Sequence, residues 1–107
     1  MTAVREGSIV RIRVSVGTKV GRPGVVLRVH PQSGRVLVAW GTGTARPHLP
    51  RVLVGPRDTA GLALGLTKLT YFYGHNYWIG APEDVDVQRG ACPGSLLAAL
   101  RALVRLG

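Results

Sequence analysis

Arg22 stands at the head of one apolar run, Arg22-Pro23-Gly24-Val25-Val26-Leu27, and Thr42 closes the next, Val36-Leu37-Val38-Ala39-Trp40-Gly41-Thr42. A guanidinium grips phosphate with two parallel hydrogen bonds and keeps its charge at neutral pH. A threonine hydroxyl donates to a phosphate oxygen. An arginine entering one buried strand and a threonine leaving the next is a layout that can act on phosphate. Residues 7–57 carry nine basic side chains and no acid, so the expected partner is an anion. In Gly41-Thr42-Gly43-Thr44 the glycines let a ligand approach the backbone closely. The segment is not a nucleotide fingerprint, because the spacing is wrong and no helix follows.

Around this pair the sequence offers Arg28, Thr44, Arg46, His48, Lys68, Tyr71 and His75 as substrate-binding candidates. Five of the six aromatics fall in residues 71–78. Consecutive strand residues face opposite ways, so Tyr71, Phe72 and Tyr73 cannot all be core. An outward aromatic beside arginines stacks single-stranded bases; the alternative is a barrel core or a dimer interface. His30, His48 and His75 are far apart in sequence, and the two flanking the proposed site, His48 and His75, are the better candidates for a general base. One cysteine and few acids give no expectation of a metal site or cofactor. Glu83, Asp84 and Asp86 read as a solvated turn, and no serine–histidine–aspartate arrangement is legible.

The elements that must position these groups are short. A chain of 107 residues, 46% apolar, with fifteen glycines and seven prolines, predicts one domain over residues 1–107, made of strands and turns. Val10, Ile12, Val14 and Val16 alternate with Arg11, Arg13 and Ser15, the period of a strand with an outward arginine face. Residues 25–29 are almost all apolar, as in a central strand; Pro31-Gln32-Ser33-Gly34 is a turn, and residues 36–40 return as a hairpin. Residues 51–54, 67–73 and 77–79 read as further strands, with Gly74-His75-Asn76 between the last two. Residues 60–64 form a helical turn or loop. Ser95 is placed to cap a helix whose Leu96, Leu97, Leu100, Leu103 and Val104 form one stripe, with Arg101 and Arg105 off it. The expected fold is mainly β (α+β), a small SH3-like antiparallel barrel with a C-terminal helix.

The formal net charge is +9, an electrostatic footprint for nucleic acid. Twelve of the fourteen basic residues are arginine, a bias that a GC-rich genome would also produce. Clustering of the charge favours a polyanion partner, while its interleaving with strand patterns argues against a membrane surface. Cys92 alone excludes an intrachain disulfide and points to the cytoplasm. The N-terminal residues lack the apolar core of a signal peptide, and no apolar run approaches a membrane span.

Taken in order, several segments resemble the MazF/PemK type of toxin from bacterial toxin–antitoxin systems. They are Gly7-Ser8-Ile9-Val10; Gly21-Arg22-Pro23-Gly24-Val25-Val26-Leu27; residues 36–44, close to the "VLVAYGTSQ" variant of the PemK-like branch; and Ala60-Gly61-Leu62 with Leu66-Thr67-Lys68-Leu69. The likeness covers roughly residues 7–80. Ser8 stands where an acid is frequent, Gly43-Thr44 where "SQ" is expected, and residues after Trp78 match nothing in the pattern. The resemblance implies an SH3-like barrel that forms a homodimer, for which the C-terminal helix offers one surface. It also implies an acidic antitoxin protein as partner and metal-independent cleavage of single-stranded RNA, with Arg22 and Thr42 catalytic. The chemistry is attack of a ribose 2′-hydroxyl on the adjacent phosphorus. A barrel that binds nucleic acid or a protein without catalysis fits the same residues, as does an accessory protein whose charge merely follows genome composition.

Overall fold

The apolar run of Val25, Val26 and Leu27 is buried at every position, so the strand carrying it must be covered on both faces. The computed structural model describes residues 3–106; residues 1, 2 and 107 of the expected domain lie outside it. The strands are β1 (Ser8–Ile12), β2 (Arg22–Val29), β3 (Val36–Thr42), β4 (Arg51–Val54), β5 (Thr70–Gly80) and β6 (Val85–Ala91). Helix α1 (Thr59–Leu64) lies between β4 and β5, a 3₁₀ turn (Pro82–Asp84) precedes β6, and α2 (Gly94–Leu106) ends the chain. The strands form one sheet in the order β4-β5-β3-β2-β1-β6, antiparallel at every pairing. The fold is the expected small, barrel-like, mainly β architecture with a C-terminal helix.

Two apolar layers explain the curl. Ile9, Val25, Leu27, Ala39 and Phe72 pack under Leu64 of α1 and Leu96, Leu100 and Leu103 of α2. On the opposite face Val10, Ile12, Val26, Val36 and Val38 close on one another with Val16 and Val85, backed by Trp40 and Trp78. Register shifts between Ser8 and Val10, Val26 and Arg28, and Ala39 and Gly41 bend the strands where they occur. The expected hairpin joins β2 to β3, and its turn needs Gly34 at φ +74°, where a side chain would be strained.

Several details differ from the sequence expectation. β1 ends at Ile12; Val14 is exposed, and Val16 returns to the core through a bridge to Lys19. The break expected at Gly74-His75-Asn76 is a bulge inside continuous β5. Between the pairs Gly41–Phe72 and Ala39–Tyr77, β3 advances two residues while β5 advances five. That odd excess reverses which alternate residues face α2. β6 has no counterpart in the reading; Asp86, expected in a solvated turn, lies on it and approaches exposed Arg13 at 3.8 Å. The stripe on α2 is as expected, with Leu96, Leu100 and Leu103 buried. Ser95, however, is not the cap. The Leu97 amide donates to the Pro93 carbonyl at 3.0 Å, which places Pro93 at that position and Ser95 inside the first turn.

Arg101 fastens α2 to the sheet. Its Nε and Nη2 donate to the Leu27 carbonyl at 3.3 and 3.2 Å, and Nη2 pairs with Glu6. Just before the helix, half-buried Cys92 donates its thiol hydrogen to the Pro93 carbonyl at 3.4 Å. Burial pushes its pKa up to about 11, although the nearby Leu97 amide pulls the other way. The thiolate is the nucleophile, so Cys92 should react with iodoacetamide at pH 8 at least tenfold more slowly than in the unfolded chain. A rate measured in denaturant and in buffer checks this.

Candidate functional site

At one end of the sheet a cleft of about 350 Å³ opens between the β1–β2 loop, the end of β3 and the segment leading into β5. Among the described residues, every charged side chain lining it is a cation: Arg11, Lys19, Arg22 and Lys68. Hydroxyls come from Thr42, Thr67 and Thr70. Four positive charges in a concave surface without a countercharge focus potential on an incoming anion.

The strand register brings the two principal candidates together. β2 pairs with β3 so that Gly24 faces Trp40. That ladder ends at this pair, and Arg22 and Thr42 lie two residues beyond it on their strands, where both line the cleft. Arg22 is held from two sides. Its Nε donates to the Val16 carbonyl at 2.8 Å, and its guanidinium carbon lies 4.3 Å from the Trp40 ring centroid. Indole is the strongest cation–π platform. Its cost is visible: Trp40 Nε1 is buried without a hydrogen-bond partner among the described residues, about 1–3 kcal/mol that a phenylalanine would avoid. With Nε engaged, the terminal amino groups of Arg22 make no hydrogen bond among the described residues.

Thr42 is half-buried, and its Oγ1 accepts the Thr44 amide at 3.2 Å, which leaves the hydroxyl hydrogen available to a ligand. Lys68 lies over Gly43, where a Cβ would come within 2.9 Å of its Nζ, so a side chain there would shift the ammonium. Arg11 supports the cleft from below, donating from Nη1 to the Gly21 carbonyl at 3.2 Å.

Tyr73 orders the loop that follows Thr42. Its buried hydroxyl accepts the Arg46 amide at 2.6 Å and donates to the Thr44 carbonyl at 3.2 Å. Its ring continues a ladder, with Tyr71 at 6.3 Å on one side and His75 at 5.9 Å on the other, the ring planes nearly parallel in both pairs. Tyr71 also pairs with Thr42 across β3 and β5. Tyr73→Phe keeps the ring and removes both bonds. It should cost about 1–2 kcal/mol and raise hydrogen exchange at the Arg46 amide at least tenfold, which amide-resolved exchange would read.

Of the residues singled out from the sequence, Arg22, Thr42 and Lys68 line the cleft, and Thr44, Arg46, Tyr71 and His75 cluster around Tyr73 beside it. His48 is exposed on the β3–β4 loop and does not line the cleft. Arg28 is elsewhere, on a separate groove beside α2. Arg11 and Lys19 were missed. Lys19, in a glycine-flanked loop just before Arg22, carried a usable signal; Arg11 resembled any outward strand arginine.

No protein-family model matches the chain, and no curated protein matches it in sequence. What the site does is therefore argued from its own geometry.

Proposed function

We propose that the chain is a metal-independent endoribonuclease of the MazF/PemK toxin type, acting on single-stranded RNA. The observation that carries this reading is the presence of Arg22 and Thr42 together in a cleft whose charged lining is, among the described residues, wholly cationic. In the reaction the ribose 2′-oxygen loses its proton and bonds to the adjacent phosphorus. The P–O5′ bond breaks, and the departing 5′-oxygen takes up a proton, leaving a 2′,3′-cyclic phosphate. Arg22 offers a preorganised charge where the phosphorane's negative charge develops, and Thr42 a hydrogen bond to a non-bridging oxygen. Lys19, Lys68 and Arg11 hold flanking phosphates, and the Tyr71 and His75 rings offer a base a stacking surface. A homodimer and an acidic antitoxin protein belong to the same reading.

The test is end-labelled single-stranded RNA incubated with the protein in excess EDTA. Discrete fragments ending in cyclic phosphate support it; RNA that stays whole across a panel covering every trinucleotide contradicts it.

One observation favours a second reading, a barrel that binds RNA without cutting it. Among the described residues no imidazole or carboxylate lines the cleft, so neither proton transfer has a side-chain base of ordinary pKa beside it. That version retards RNA in a salt-dependent gel assay and leaves it intact.

A further inference from the structure

We propose that Trp40 is a positioning residue for Arg22: its indole fixes the plane of the guanidinium, so that the two terminal nitrogens, and not Nε, meet the phosphate. The proposal rests on the ribonuclease reading of the cleft and adds to it a residue that touches no substrate.

Indole is a costly choice at this position. Trp40 packs against the layer of Val10, Ile12, Val16, Val26 and Val38, a place that leucine or phenylalanine would fill without a polar atom. Its Nε1 is buried with no hydrogen-bond partner among the described residues. An unpaired buried donor destabilises a fold, and a native chain that keeps one calls for a reason. The core supplies none. The neighbour that does is the Arg22 guanidinium, whose central carbon stands 4.3 Å from the ring centroid. Attraction of a cation to an aromatic face is strongest for indole.

Three neighbours then leave the guanidinium one edge for a ligand. The indole covers a face. The Val16 carbonyl takes Nε at 2.8 Å. That carbonyl is itself fixed: the Val16 side chain is buried, and its backbone exchanges hydrogen bonds with Lys19 at 2.8 and 3.3 Å. Nη2 borders Gly17, where a Cβ would stand 3.4 Å from it, so the turn passes beside the fork without a side chain. What remains is the terminal edge of Nη1 and Nη2, a pair that can grip phosphate with two parallel bonds. Trp40 and Thr42 lie two residues apart on β3. One strand thus carries both the hydroxyl and the plate that aims the arginine. Such aim converts into rate, because a misplacement of about 1 Å can cost on the order of 10²-fold.

The experiment compares Trp40→Leu and Trp40→Phe with the parent, and repeats Trp40→Leu in an Arg22→Ala background. Single-turnover cleavage of single-stranded RNA in excess EDTA should slow about tenfold or more in Trp40→Leu. The half-saturating RNA concentration should stay within about twofold of the parent, because Arg11, Lys19 and Lys68 still line the cleft. In the Arg22→Ala background the same exchange should alter the residual rate less than about twofold, since the ring then has no guanidinium to hold. Trp40→Phe removes the orphan N–H but leaves a smaller ring, opposed effects that should keep the melting temperature within about 4 °C. Its weaker platform should still slow cleavage about threefold. The Arg22 Nε–Hε resonance gives a readout independent of turnover. Its order parameter should lie near about 0.85 in the parent, fall below about 0.6 in Trp40→Leu, and be intermediate in Trp40→Phe. Equal losses from Trp40→Leu with and without Arg22, or an unchanged Arg22 order parameter, would overturn the proposal and leave Trp40 as core. A Trp40→Leu chain that does not fold passes the decision to Trp40→Phe, where a parental rate with a parental order parameter overturns it. A parent that cuts no RNA would sink the ribonuclease reading instead, and the Arg22 resonance would still decide whether Trp40 aims the fork.

Discussion

Arg22→Ala is expected to slow single-stranded RNA cleavage by a factor on the order of 10²–10⁴, the range for removing a preorganised donor or arginine from a phosphoryl or acyl transition state. The loss should fall on the chemical step, because Arg11, Lys19 and Lys68 still line the cleft and still draw the polyanion. Stability should fall only modestly. The side chain gives up one hydrogen bond to Val16 and its stacking on Trp40, about 1–2 kcal/mol together, against the roughly 5–15 kcal/mol of an ordinary domain. Arg22→Lys sharpens the test. It keeps the charge but loses the planar fork and the Nε bond, so it should recover no more than about a tenth of the lost rate. Single-turnover cleavage in EDTA, beside a thermal melt of each variant, separates lost chemistry from lost fold. An Arg22→Ala variant that cuts as fast as the parent would remove this residue from the mechanism.

Much of the path to that site was legible in the sequence, for local reasons. The β2–β3 hairpin announces itself through two apolar runs and a Pro-Gln-Ser-Gly turn, and once it is drawn Arg22 and Thr42 fall at the same end. The helical stripe of α2 is equally local. What was hidden depended on register. Plain alternation puts Arg28 on the face of Val26, yet the bulge at Leu27 sets Arg28 opposite Leu37 and turns it toward α2, away from the cleft where the sequence had placed it. The β5 bulge reverses a face in the same way, so Tyr77 and Ile79 take the side that Phe72 takes earlier in the strand. Arg11 enters the cleft because β1 pairs with β2 at Pro23, a long-range fact with no signature in composition. Arg101 looked like a solvated helix residue until the Leu27 carbonyl was seen beneath it.

The bulges matter for function because they divide two cationic surfaces that composition alone would merge. Without the shift at Leu27, Arg28 would share the sheet face on which Arg22 and Thr42 lie. With it, part of that charge borders an apolar groove, and the cleft keeps a smaller, closer set of cations.

Leu100→Ala tests whether the scaffold and the cleft are separable, and it is the substitution from which the largest loss of stability is expected. Leu100 is fully buried on α2, in the layer formed with Ile9, Val25, Leu27, Ala39 and Phe72. Truncation removes the transfer free energy of the lost carbons and leaves a cavity beneath a helix pinned at the next residue by Arg101, so the site cannot collapse freely. A loss of about 3–5 kcal/mol follows, equivalent to a melting temperature lower by roughly 12–30 °C for a domain of this size. Because no described residue of α2 lines the cleft, the rate of RNA cleavage below the new transition should stay within about threefold of the parent. Thermal melts followed by circular dichroism, with cleavage assayed well below the midpoint, read both quantities on one protein. A large fall in cleavage by folded Leu100→Ala would show that the α2 layer sets the geometry of the strand ends. The placing of Arg22 and Thr42 in one cleft would then depend on the whole sandwich of sheet and helix, and not on the hairpin alone.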